Sequence, residues 1–302
     1  VLIIYIMPYF LSNTISGKAQ FLRSNFLCAL AIMFFAMGFP ALDQLLKAWG
    51  IISVATVRNC LAFLLIFSIW VAFEGYQKVF SANWKLGFWI GAAGFGSGSL
   101  LLIIAQNLTT AVVAALAAAL MPIAGVALEI LLDKRKINFW FLVGMFLVLL
   151  GGLFSIGSEL HSIEFGIGLL VAMFSVSAFA WGSRATVKNI PNKTTLEQTV
   201  VTTFGMACFS IFIYVICFYL KLPYTEIPTV TPKGLLYLLI YSWIALGISQ
   251  ILWIRGVYDL GIGVASFHLN VTPFYVMLIL FIVGNKWVWA QAIGAMIVIF
   301  GV

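Results

Sequence analysis

Two nine-residue stretches of this 302-residue chain end on proline inside apolar runs. Ala265 to Pro273 reads ASFHLNVTP and carries His268, Asn270 and Thr272; Ala114 to Pro122 reads AALAAALMP and has no polar side chain. An imidazole and an amide in such a run can orient a solute by hydrogen bonding, and an imidazole can also carry a proton near neutral pH. Proline removes a backbone donor and frees a carbonyl one turn upstream, so Pro122 and Pro273 are expected to kink their helices and act as gates. On a regular helix Val264, His268, Val271 and Tyr275 share one face, while Asn270 points elsewhere. His268, Asn270 and Tyr275 are thus candidates for solute contact. The plainer reading is that His268 or Asn270 bonds a neighbouring helix or the carbonyl freed by Pro273.

Other residues could share this chemistry. Gln250 and Trp253 lie three apart on one helical face. An amide beside an indole suits a small amphipathic metabolite, one group orienting it and the other covering its apolar part. Ser99 stands 151 residues before Gln250 (250 − 99 = 151). Trp181, with Ser177 one turn earlier, sits too deep for an interfacial anchor; it either lines a cavity or packs against Gly182. Arg58 falls inside an apolar run, where a cation at mid-depth costs about 2.5–3.5 kcal/mol on insertion scales. It is expected about two turns into its span, snorkelling towards the surface or meeting Asp43, a helix carbonyl end or an anionic substrate. Glu129 is expected to pair with Arg135 or Lys134, and the Gly94, Gly96, Gly98 stripe to be a close helix contact rather than a phosphate loop. No paired carboxylates, HEXXH or Ser/His/Asp set lies at one depth, so no catalytic site, cofactor or metal is expected. The cysteines Cys28, Cys60, Cys208 and Cys217 read as small packing groups.

The elements that would hold these residues are membrane helices. The chain is 64% hydrophobic and 8% charged, against about 25% charged in soluble domains, and could not cover a soluble fold with polar surface. Apolar runs near 26–46, 51–73, 84–105, 109–132, 138–157, 165–187, 197–220, 233–256, 260–284 and 287–302 predict ten spans. Residues 1–25 form a separate N-terminal segment expected at the membrane surface. Lys18, Arg23, Lys78, Lys85, Lys134, Arg135, Lys136, Arg184, Lys188, Lys193 and Arg255 then fall on one side. Lys47, Lys221, Lys233 and Lys286 fall on the other, with Arg58 set aside. Eleven against four places both termini in the cytoplasm by the positive-inside rule. The net charge of +7 is therefore a topology signal, and no nucleic-acid partner is expected.

The two prolines lie 151 residues apart (273 − 122 = 151), and the same offset sets Ala114 on Ala265 and Gly96 on Gly247. An offset of 150 sets Gly144 on Gly294 and Gly151 on Gly301; an offset of 144 sets Gly38 on Gly182. The expected fold is an all-α integral membrane protein of two inverted five-helix repeats, residues 26–157 and 165–302. Such halves typically hold a substrate site between them.

The motifs and their order resemble the EamA-type branch of the drug/metabolite transporter superfamily. The resemblance rests on Ala180-Trp181-Gly182 and, more loosely, Ala36-Met37-Gly38, on Arg58, on the Ala-rich run into Pro122 with Asp133 beyond, and on the doubled G-x6-G. It departs at Met37 for Trp, Thr202 near the Arg position and Gly284-Asn285 for an acid. The resemblance implies a ten-helix metabolite carrier working by alternating access in a bacterial inner membrane. Its partners would be a small-molecule solute and the lipid bilayer, with monomer and weak dimer both compatible. Because the first span has no acid before Asp43, proton-driven cation efflux is disfavoured, and facilitated diffusion or exchange is expected unless His268 carries a proton. An amino-acid-like solute, exported, is the favoured cargo. An organic-phosphate or nucleotide-sugar exchanger would need cations deep in the second half, and a non-transporting receptor or scaffold is the alternative of another class.

Overall fold

A chain this apolar satisfies its backbone inside a bilayer only by helices or a closed barrel. The structure, a computed structural model, describes residues 18–134 and 163–285, with isolated positions beyond. All its regular elements among these residues are helical. Eight helices are long and apolar enough to cross a membrane. They are α1 (Lys18–Leu45), α2 (Ile51–Glu74), α3 (Trp84–Leu108), α4 (Ala111–Asp133), α5 (Ile163–Asn189), α6 (Thr195–Tyr219), α7 (Pro232–Leu260) and α8 (Ile262–Ile282). The expected fifth and tenth spans, and with them Gly144, Gly151, Gly294 and Gly301, lie outside the described residues. So does most of the 1–25 segment, but its last residues do not stand apart: α1 begins at Lys18.

Boundaries follow local chemistry. Thr110 caps α4, its hydroxyl accepting from the Val113 amide at 3.3 Å. Thr194 does the same for α6 at 3.0 Å, and Thr231, followed by Pro232, for α7. Gly261 joins α7 to α8 in a single residue at φ +78°, a conformation an L side chain resists.

Four spans are irregular in pairs. α3 contains a π-helical segment, Gly91–Gly96, and α7 contains one at Ile240–Ile248. Wider turns of this kind accommodate one extra residue and often mark functional sites. α4 breaks at Ala119–Leu120 and resumes at Met121, with Pro122 in the first turn. α8 passes through a 3-10 segment, Phe267–Val271, and resumes at Thr272 with Pro273 in the first turn. The residues at which the new segments start have nearly the same backbone: Leu120 at φ −80°, ψ −5°, and Val271 at φ −83°, ψ −12°. Both prolines thus occupy a position where the missing N–H costs little.

α1 packs on α7 and α8, and α5 packs on α3 and α4; α2 crosses α6, and α4 crosses α8. Between α2 and α6 the Asn59 amide donates to Ser210 Oγ at 2.6 Å, and the Thr56 hydroxyl to the Ser210 carbonyl. Two cations expected as loop charges are interior instead. Arg23 on α1 lies 3.7 Å from Asp259, and Arg255 on α7 lies 3.0 Å from the same carboxylate, whose side chain is 1% exposed. Ser24 also donates to it at 2.6 Å, so Asp259 ties the end of α1 to that of α7. Glu129 on α4 reaches across to α8. Its carboxylate accepts from the Gly263 amide at 2.9 Å and so caps the first turn of α8. Arg184 meets Asp133 through two nitrogens, linking α5 to α4.

Candidate functional site

Between α1, α3, α4, α5, α7 and α8 lies a partly open cavity, with about 470 Å³ of empty space including its open side. Its walls are mainly apolar, with Phe35 and Phe179 facing in from α1 and α5 and Leu102 from α3. α7 supplies the polar groups, because Ser249, Gln250 and Trp253 follow its π segment on one helical face. The Trp253 indole N–H donates to Ser183 Oγ at 2.9 Å, which fixes the ring plane. Ser249 donates to the Ala31 carbonyl at 2.9 Å and is spent on α1. Gln250 makes no hydrogen bond among the described residues, so its amide is left to the cavity. This is one free amide over apolar walls, a constellation that orients a small amphipathic molecule.

A second, narrower cleft, with about 240 Å³ of empty space including its open side, adjoins the first and shares Phe35 and Leu102 as walls. Gly38, Arg58, Gln106 and Tyr241 line it. Arg58 does not snorkel: it is 3% exposed. Its Nη1 donates to Ser99 Oγ at 2.8 Å, its Nε to the Tyr241 carbonyl at 3.4 Å, and its guanidinium carbon lies 4.3 Å from the Tyr241 ring centre. Asp43, expected as a partner, is engaged elsewhere, accepting from Gln106 Nε2 at 2.6 Å. No carboxylate pairs with Arg58 among the described residues.

The remaining candidates are placed as follows. Gln250 and Trp253 line the first cavity, and Ser99 stands behind the second as the acceptor for Arg58. Trp181 is half-buried against the core, and Ser177, exposed, donates to the Met173 carbonyl; neither lines the two cavities. From that helix Val176 and Phe179 face the first cavity instead. His268 and Tyr275 are half-buried, the imidazole Nδ1 lying 3.1 Å from the Ala265 carbonyl. Asn270 is 1% exposed, and both its amide atoms lack a hydrogen-bond partner among the described residues. Leu269, beside it, is the α8 residue that reaches the first cavity.

Several site residues escape the sequence reading. Gln106 was part of an expected turn but is buried within α3, and Tyr241 and Ser183 carry no motif. Phe35 and Phe179 had a signal: they stand 144 residues apart (179 − 35 = 144), the offset that joins Gly38 to Gly182.

The profile of the EamA-like transporter family matches residues 22–157. Among curated proteins none matches the chain. A solved structure described as "Crystal structure of protein" superposes with a TM-score of 0.71 at 17% identity, covering 94% of this chain and 96% of that one. At that identity the likeness is one of fold. Residues 22–157, somewhat less than half of the chain, thus carry the likeness to the EamA-like transporter family, which lies within the drug/metabolite transporter superfamily.

Proposed function

We propose that this chain is a secondary transporter that moves a small polar or amphipathic metabolite by alternating access between two inverted five-helix repeats. One observation carries the reading: the first cavity is lined by residues that the two repeat offsets pair. Ile32 pairs with Val176 and Phe35 with Phe179 at 144; Leu102 pairs with Trp253 and Ala118 with Leu269 at 151. Such pairing supports a cavity between two related halves, where a carrier of the proposed architecture holds its cargo.

Helix packing supports the same pairing. A Cβ on Gly38 would lie 2.9 Å from Ala245 Cβ, and one on Gly182 would lie 3.1 Å from Gly94 Cα. The two contacts exchange under the offsets, Gly38 to Gly182 by 144 and Gly94 to Ala245 by 151. Gly96 against Phe209 likewise exchanges with Gly247 against Leu65. The π segments and the breaks before Pro122 and Pro273 fall at paired positions, which suits them to bend as gates.

The favoured cargo is amino-acid-like and exported, with both termini cytoplasmic in a bacterial inner membrane. Trp253 and Gln250 are its contacts, and Pro122 and Pro273 the hinges. The test is uptake and counterflow in proteoliposomes over a panel of amino acids, organic acids, amines and sugar phosphates. Saturable flux of an amino-acid-like solute, reduced in folded Gln250→Ala and Trp253→Ala, is the expected result. Flux confined to organic phosphates would replace the cargo, and binding without flux would replace transport by a receptor role.

A further inference from the structure

A guanidinium at the edge of a membrane cavity is normally neutralised, because an unpaired buried charge is among the most expensive groups a fold can hold. Arg58 is 3% exposed, and its partners are all neutral: Ser99 Oγ, the Tyr241 carbonyl and the Tyr241 ring. Its Nη2 makes no hydrogen bond among the described residues, and neither does the Tyr241 hydroxyl. Asp43 is held by Gln106, whose Nε2 also donates to the Phe39 carbonyl at 2.8 Å. The second cavity therefore offers a cation and a phenol with donors to spare and, among the described residues, no anion of its own. It opens beside the first cavity across Phe35 and Leu102, which both share.

We infer that Arg58 and Tyr241 bind the carboxylate of the transported solute while its apolar part lies in the first cavity against Phe35, Leu102 and Trp253. The inference rests on the transporter reading above and narrows its cargo to amphipathic monocarboxylates, zwitterionic ones included. A carboxylate matches the charge here better than a phosphate ester. A phosphate near double charge calls for more than one cation, and among the described residues Arg58 is the only Lys or Arg lining either cavity. The halves differ here in the way an asymmetric cargo requires: at an offset of 144 Arg58 falls on Thr202, and at 151 Gln106 falls on Val257.

The test uses the full chain purified in uncharged detergent, with 3-phenylpropionate and its uncharged amide as matched probes. Binding is followed by tryptophan fluorescence and thermal shift, with chloride and inorganic phosphate as competitors. A charge-assisted hydrogen bond in a desolvated site predicts that the acid binds at least about tenfold more tightly than the amide. In Arg58→Gln that preference falls to about one, while Arg58→Lys keeps part of it. Trp253→Ala weakens acid and amide alike. Acid and amide binding equally, with both lost in Trp253→Ala, would overturn the carboxylate assignment and leave the central cavity reading intact. Displacement of the acid by chloride at equal concentration would overturn it in favour of a bare anion site. Absence of binding by either probe would overturn both. If Arg58→Gln does not fold, the acid-to-amide ratio of the unaltered chain and of Tyr241→Phe decides: a ratio near one in the unaltered chain overturns the assignment, and a preference reduced by Tyr241→Phe upholds it.

Discussion

Replacing Gly94 by alanine should loosen the bundle where α3 meets α5. A Cβ at position 94 would lie 2.6 Å from Gly182 Cα and 3.1 Å from its nitrogen. Carbon atoms pack best at about 3.5–4.0 Å, so the helices must part by roughly 1 Å. The obstacle is backbone, which cannot rotate aside as a side chain could. Overpacking of this kind costs about 1–3 kcal/mol, against a helix-propensity gain for alanine of at most about 1 kcal/mol, so the net effect is destabilising. At about 2–4 °C per kcal/mol in a chain of this order of size, the melting midpoint should fall by several degrees. Two further glycines on α5 set the scale. Gly182→Ala meets its nearest atom at 3.1 Å and should fall less; Gly166→Ala meets nothing within 4 Å and should be neutral or slightly stabilising. Intrinsic tryptophan fluorescence on heating in detergent gives the order directly. If Gly94→Ala melted with Gly166→Ala, the close approach of α3 and α5, and the seam built on it, would be wrong.

Asp259→Asn removes the buried carboxylate charge that Arg23, Arg255 and Ser24 share, and should destabilise by about 3–5 kcal/mol, read as loss of monodisperse protein in gel filtration. Glu129→Gln weakens the cap on Gly263 and should cost about 1 kcal/mol, with faster hydrogen exchange confined to the first turn of α8. Ser183→Ala removes the acceptor for the Trp253 indole; the fold should survive, while solute affinity drops several-fold, consistent with loss of about 1 kcal/mol of orientation, measured as a raised half-saturation of flux.

The spans were legible because the bilayer imposes their length: eight of the ten expected runs coincide with helices to within a few residues, except that α1 starts earlier. The Gly94 to Gly98 stripe reads correctly as close contact, since only a missing side chain lets Gly94 approach Gly182. What failed was regular helical arithmetic. It groups His268 with the inward face of α8, yet residues 267–271 run at three per turn, and it is Leu269 and Asn270 that are buried. The π segments were equally invisible, because nothing in GAAGFG or IYSWIALGI marks a widened turn. Polar partners were the least accessible. Asp43 was an expected partner for Arg58 on proximity in the chain, but Gln106 from α3 takes it, a contact that depends on how three helices meet.

The side chains at the two cavities give that geometry a direction. Under the proposed pairing, the backbone devices repeat faithfully, while the polar groups do not. Arg58, Gln106 and Tyr241 gather on one side of the first cavity, and their mates are Thr202, Val257 and Ile90. On the other side stands Trp253, oriented by Ser183, and their mates are Leu102 and Phe39. A symmetric frame lets either half open at similar cost, because the bends are alike. On the proposed reading, an asymmetric lining would hold the solute one way round, with its anionic end towards α2 and its apolar part towards the indole. Selection on a carrier of the proposed kind could then change cargo through the lining alone, leaving glycines, prolines and π segments where the proposed rocking of two halves would need them.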